Sequence, residues 1–193
     1  MDHNIFLSGH YYELRPVRMD DAEFMVSLRT DPELSKFLNN TSSRVEDQKH
    51  YLERYLTEPD DYYFIIQSKS MKYAEGIVAI YEIDHNNHCA EWGRWIIRKG
   101  SMAAIESACL IYRIAFESLK LGQLYCRTVS ENRSVVSFHE SCGLRFNREI
   151  PDYVKINGVT YNSIEQSMTA KDWPQHQPKL EEKSERIARL LDR

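Results

Sequence analysis

The sequence predicts an α/β fold of the α+β kind, with a mixed, mostly antiparallel central sheet of about seven strands, about four flanking helices and a further C-terminal helix. Three observations carry this expectation. Tyr62–Gln67, Gly76–Ile83 and Cys89–Ile97 are strongly β-prone runs joined by short polar turns, which makes a three-strand meander. The last of them passes through Arg98-Lys99-Gly100-Ser101 into a long apolar helix, and that crossover makes Leu124–Val129 a parallel neighbour of Cys89–Ile97. Asn157-Gly158 then joins Tyr153–Ile156 to VTYNSI with the chemistry of a two-residue hairpin.

Taken in order, Tyr11–Val17 reads as an early edge strand ending near Pro16. Asp20 and Asp21 open a helix whose apolar face is Ala22, Met25 and Leu28, and Asp31-Pro32 ends it. Leu34–Thr41 is polar and Asn-rich and receives no assignment. Ser43 and Glu46 form a capping box for a second helix through Val45, Leu52 and Leu56. In the long helix after Gly100, Glu106, Arg113, Glu117 and Lys120 form one polar stripe on an otherwise apolar cylinder, and Gly122 stops it. Asn132 is an N-cap and Gly143 a helix stop for a short helix with Val135, Phe138 and Cys142 inward. Leu144–Ile150 and Tyr153–Ile156 are two further strands. Residues 1–170 form one domain. Residues 171–193 form a tail, an amphipathic helix using Leu180, Ile187, Leu190 and Leu191, either frayed or docked on a partner subunit.

Composition excludes several classes. The chain has 193 residues, 42% of them hydrophobic, enough for one domain with a real core. A net charge of -4 argues against a nucleic-acid or anionic-membrane partner. No apolar run is long enough to span a bilayer and the start lacks signal-peptide regions, so the expected location is cytoplasmic. Cys89, Cys109, Cys126 and Cys142 are far apart, unlike the close pairs of a zinc site, and read as small core residues.

A strand that stops at a small-residue turn and feeds a helix leaves unpaired backbone N–H groups aimed at one spot, an anion cradle in outline. Here the turn is Arg98-Lys99-Gly100-Ser101-Met102-Ala103. It resembles the acyl-CoA signature of the GCN5-related N-acetyltransferases, the GNAT superfamily, with Ser101 where a glycine is usual. The order strand, two helices, meander, long helix, strand, short helix, hairpin is also the GNAT order, over about Tyr11–Thr169. Tyr12-x-Leu14-Arg15-Pro16, Asp20-Asp21-Ala22, Ala90-Glu91-x-Gly93 and Asn132-x-Ser134-x-x-x-Phe138 ending at Gly143-Leu144 resemble the family's local motifs. The branch it looks like contains the ribosomal-protein alanine acetyltransferases and their small-molecule relatives.

The resemblance implies direct transfer of acetyl from acetyl-CoA, as cosubstrate and without a metal, to an amine that must lose a proton to attack. Glu91 stands where the family often carries its base, on the same side as Gly93 and Trp95; read alone, it is equally a solvated strand-end carboxylate. The resemblance assigns CoA contacts to Ile96, Ile97, Arg98, Gly100, Ser101, Met102 and Ala103, with Asn132 and Ser134, while an ordinary helix start and a plain N-cap remain the simpler readings. His139 stands where many relatives carry a tyrosine that protonates the departing thiolate. Its imidazolium could do the same, or the side chain could simply be packed beside Phe138.

The fold implies an acceptor pocket between the two early helices and the late hairpin, with Phe37, Asn39, Asn40, Tyr62, Tyr63, Trp92, Arg94 and Tyr153 as candidates. Aromatic faces and amides suit a polar small molecule, an amino sugar or sugar nucleotide. Protein N-terminal acetylation is the alternative, and a CoA-binding module without turnover a third reading. A homodimer would form through the tail or the late hairpin.

Overall fold

In the computed structural model, which describes residues 3–192, eight strands form one sheet in the order β1-β2-β3-β4-β5-β6-β8-β7. The strands are β1 Leu7–Ser8, β2 Tyr12–Pro16, β3 Tyr62–Ser68, β4 Ala74–Asp84, β5 Cys89–Ile97, β6 Gln123–Val129, β7 Arg145–Ile156 and β8 Val159–Thr169. The helices are α1 Ala22–Arg29, α2 Val45–Tyr55, α3 Ala104–Arg113, α4 Arg133–Ser141 and α5 Trp173–Leu191. Every neighbouring pair is antiparallel except β5 and β6, the two strands joined by the α3 crossover.

The sheet is covered on both faces, which is why β3 and β4 read as continuous apolar runs. Tyr63, Ile65, Ile77 and Ala79 face a core built with Met25 and Leu28 of α1 and Leu52 of α2. The alternate residues Phe64, Ile66, Val78 and Ile80 face the opposite core, with Leu110 and Ile111 of α3 and Trp173 and Leu180 of α5. The period of two along each strand thus sorts side chains between two helical layers.

Several expectations are corrected. β2 is not an edge, because Leu7–Ser8 adds an eighth strand outside it. The two strands expected before the hairpin are one strand, β7, with a register shift between Ile150 and Val154 and Asp152 at φ 50°. Glu106 does not belong to a solvated stripe: it is buried, and its carboxylate accepts the backbone N–H groups of His10, Tyr11 and Tyr12, so it anchors the start of β2 to α3. The long helix loosens into a π-turn over Ile114–Ser118, and the left-handed residue after it is Lys120 rather than Gly122. The α2 entry uses Ser42, whose hydroxyl accepts the Arg44 N–H and donates to Asp47, in place of the Ser43–Glu46 box.

The tail is neither frayed nor free. α5 lies along α3 and buries Trp173, Leu180, Ser184 and Ala188, with Leu191 packed against the same core, while Leu190 stays exposed. Ser184 leaves room for close approach, and its hydroxyl returns to the Leu180 carbonyl. Of the two segments expected to carry a homodimer contact, α5 turns its apolar stripe toward its own domain, whereas the β7–β8 hairpin exposes Tyr153 and Val159. Leu180→Ala is therefore expected to destabilise the fold by about 2–5 kcal/mol in chemical denaturation, and Leu190→Ala by no more than about 0.5 kcal/mol.

Candidate active site

β5 and β6 pair for only three residues, Cys89–Glu91 against Gln123–Tyr125. Beyond that the strands separate, and a cleft of about 570 Å³ opens between Trp92–Ile97 and Cys126–Val129. Ala104, Asn132, Ser134, Val135 and His139 line it from the α3 and α4 side, and Glu33, Leu34, Lys36, Phe37 and Leu38 of the α1–α2 connection from the other.

β5 also carries a bulge. Ala79 pairs with Gly93 and Ile77 with Ile96, so β5 spends one residue more than β4, and Arg94 takes up the excess at φ 49°. The bulge reverses the alternation, which corrects the expectation that Glu91, Gly93 and Trp95 share a face. Trp95 instead lies with Trp92, ring centroids 5.7 Å apart, and its indole N–H donates to Ser107 of α3. Glu91, Gly93 and Arg94 face Tyr81. A Cβ on Gly93 would stand 2.6 Å from the Tyr81 hydroxyl, so glycine is what allows that hydroxyl its place.

The turn after β5 has the form of an anion cradle. Arg98 N–H is tied to the Glu75 carbonyl (2.8 Å), Ser101 N–H returns to the Arg98 carbonyl (3.2 Å), and Gly100 sits at φ 79° with nothing within 4 Å of where a Cβ would stand. The first-turn N–H groups of α3 have no helical carbonyl to bond and carry the positive end of the helix dipole. Ser101 does not crowd this space: its hydroxyl accepts the Ala103 N–H (3.1 Å). The cradle is made of backbone, because the Arg98 guanidinium lies over the Tyr73 ring (4.6 Å) and lines a neighbouring hollow with Lys99. Met102 is exposed and Ala103 buried at the helix start. Asn132 does not cap α4 with its side chain; its Oδ1 accepts from the Ser134 hydroxyl (3.2 Å), and both residues line the cleft with Ile96 and Ile97. An extended ligand ending in a diphosphate, such as acetyl-CoA, fits this open gap and its terminal cradle. Among the described residues no His, Cys, Asp and Glu side chains cluster to hold a metal ion.

Glu91 is buried rather than solvated. It accepts a hydrogen bond from the Tyr81 hydroxyl (3.1 Å) and pairs with Arg127 (2.8 Å). Burial pushes its pKa up to about 7, and the pull of Arg127 and Tyr81 only partly offsets it. A carboxylate with that value changes protonation state near neutrality, the property a general base needs.

His139 is 3% exposed, edge-on to Trp92 (4.9 Å) and tilted against Trp95 (5.8 Å). Burial lowers its pKa to about 4, so the imidazole is neutral near pH 7 and stands in the aromatic wall of the cleft. Its folded-state pKa lies below the unfolded value, so stability is lost as pH falls from about 6.5 toward 4. His139→Leu should remove that loss: between pH 7 and pH 5 the variant should gain about 2 kcal/mol relative to the parent in denaturation experiments.

The acceptor candidates divide. Phe37, Trp92 and Arg94 line the cleft, while Asn40, Tyr63 and Arg94 line a second pocket of about 450 Å³ against α1 and α2. Arg94 is the wall between the two, paired with Asp61 (2.8 Å) and stacked over Tyr63 (5.2 Å) and Tyr81 (4.5 Å). Tyr62 lies on the other sheet face beside His3 and Phe64, Asn39 is exposed and lines neither hollow, and Tyr153 sits on the hairpin 5.7 Å from the Arg127 guanidinium. Sequence reasoning missed Tyr81, Arg127, Arg29 and Tyr51. Strand alternation could have paired Tyr81 with Glu91, but the partnership with Arg127 crosses from β5 to β6 and has no local signal.

Comparison with known proteins agrees with this geometry. The fold matches FdhC, described as a nucleotide-linked sugar GNAT (TM-score 0.78, 24% identity, 92% of this chain and 97% of that one). It also matches a GCN5-related N-acetyltransferase from Brucella melitensis (TM-score 0.80, 17% identity, 92% and 84%). A third likeness is a chimera of the Vibrio cholerae spermidine N-acetyltransferase SpeG with hSSAT (TM-score 0.78, 18% identity, 85% and 98%). At these identities the likenesses establish the fold. No curated protein sequence matches the chain. The family model of the acetyltransferase (GNAT) domain matches residues 12–145, which takes in the cradle, the splayed strands and α4, and the chain therefore belongs to the GNAT acetyltransferases.

Proposed function

We propose that the chain moves the acetyl group of acetyl-CoA directly to the primary amine of a small polar molecule, an amino sugar or its nucleotide-linked form. One observation carries the reading: Glu91, poised near neutrality, is hydrogen-bonded to Tyr81, whose ring carries the Arg94 guanidinium that lines both the cleft and an aromatic and amide-lined pocket. Acetyl-CoA supplies the activated acyl carbon. The cradle and the open strand edges hold and orient it in the cleft, and the hollow beside Tyr63 and Arg94 receives the acceptor. Glu91 takes the proton that the amine loses as the C–N bond forms, directly or through one water. The sulfur released as the C–S bond breaks is protonated from solvent, because a neutral His139 packed on Trp92 and Trp95 makes a poor acid.

An aromatic and amide lining supports the sugar over a polyamine, which calls for a row of carboxylates, and the fold of FdhC is consistent with it. Thiol release from acetyl-CoA with a panel of amino sugars, nucleotide-linked amino sugars, spermidine and short peptides tests the choice. The sugars should turn over with the highest kcat/KM; preference for spermidine or for a peptide N-terminus would overturn the assignment.

Two variants probe the machinery. Ser101→Asp places a carboxylate at the cradle and should weaken CoA binding at least about tenfold in calorimetry, whereas unchanged affinity would place the diphosphate elsewhere. In the parent the rate should fall as pH drops through about 7, where Glu91 becomes protonated. Glu91→Gln should lower kcat by about a hundredfold or more and abolish that limb.

A further inference from the structure

The 450 Å³ pocket holds a cation that the fold does not use. Arg29, at the end of α1, is half-buried and lines this hollow with Asn40, Thr41, Ser42, Tyr51 and Tyr63. Its Nε donates to the Thr41 hydroxyl (2.9 Å), which fixes the guanidinium plane. Among the described residues no carboxylate pairs with it. Arg94 across the pocket is matched by Asp61, and Asp47, which also lines the pocket, is exposed and accepts from the Ser42 hydroxyl. Of the two cations that line the pocket, Arg29 is therefore the one left without a carboxylate.

We infer that this pocket is an anion subsite of the acceptor site, in which Arg29 binds a phosphoryl group carried by the amine. The guanidinium keeps two NH₂ groups for bidentate recognition. The Asn40 amide and the Tyr51 hydroxyl line the same hollow and can donate to further oxygens of a phosphoryl group. Because Arg94 lines both hollows, an acceptor held at Arg29 stands next to the cleft. The inference rests on the small-molecule reading above and narrows it: the acceptor is a phosphorylated or nucleotide-linked amine, and Arg29 selects it.

The test uses the full chain saturated with CoA, so that the cradle is filled, and titrates uridine diphosphate by calorimetry. The parent should bind it. Arg29→Ala should weaken it about ten- to a hundredfold, Arg29→Lys by less, and added salt should weaken parent binding more than that of Arg29→Ala. In turnover, Arg29→Ala should raise KM for a nucleotide-linked amino sugar by a similar factor, and KM for the free amino sugar by much less. Equal diphosphate binding by parent and Arg29→Ala, with Arg29→Ala keeping the parent melting temperature, would overturn the subsite even if amino sugars are acetylated. Arg29-dependent diphosphate binding without turnover of any amino sugar would uphold the subsite and overturn the proposed acceptor class.

Discussion

The cleft at the centre of this fold depends on two parallel strands that stop pairing. A parallel ladder between β5 and β6 extended to their ends would bury the backbone of Trp92–Ile97 and Cys126–Val129 in sheet hydrogen bonds and leave no site. Pairing ends instead at Glu91 and Tyr125, while β4 and β8 hold the outer edges of the same two strands. The inner edges are left with N–H and C=O groups facing a gap, and backbone groups in such a place need partners. An extended ligand with amides of its own can supply them, which ties the shape of the cosubstrate to this break in the parallel ladder.

The bulge at Arg94 sorts the tasks around that defect. With strict alternation, Trp95 would share the face of Glu91 and obstruct it. With one extra residue, Trp92, Trp95 and His139 gather on the α3 and α4 side as an apolar wall, and Glu91, Gly93 and Arg94 turn together toward Tyr81 and the α1–α2 layer. A left-handed arginine is a strained choice, held here by an ion pair to Asp61 and by two aromatic faces. The strain sits at the junction of the two hollows, where direction matters most.

Much of this was legible in the sequence, and what was not has physical reasons. The meander, the crossover and the Asn157-Gly158 hairpin follow from local pattern, since β-branched runs, turn residues and a helix of suitable length leave little freedom. The strand–turn–helix cradle is equally local. The bulge is only hinted at, because a glycine inside a strand can mark a bulge or a close contact, and nothing local puts the extra residue at Arg94. Glu106 looked solvated because a charge on a helix normally is; its partners are three backbone N–H groups some ninety residues away. The apolar stripe of the tail asks for a surface to dock on, but no local pattern distinguishes a partner subunit from α3 of the same chain, which is where it packs. For His139 the residue type promised a titrating group, and burial among rings, a tertiary fact, removed the charge.

The difference between Glu91 and Glu165 shows how one arginine can leave two carboxylates in different states. Arg127 reaches both, at 2.8 and 3.1 Å, and lies 3.6 Å from Glu82 as well. Glu165 is desolvated too, yet hydrogen bonds from Arg148 and Arg127 hold its carboxyl below the ordinary range. Glu91 has no second arginine. It shares a cation already engaged by Glu165, is repelled by Glu82 and Glu165, and is more deeply enclosed, so burial wins and its pKa settles near 7. The cost of keeping Glu91 charged is therefore set by its neighbours as much as by its own pocket. Arg148 pairs with Glu165, which shares Arg127 with Glu91, so a cation that does not touch Glu91 still bears on its charge state, and the two carboxylates are held in different protonation ranges.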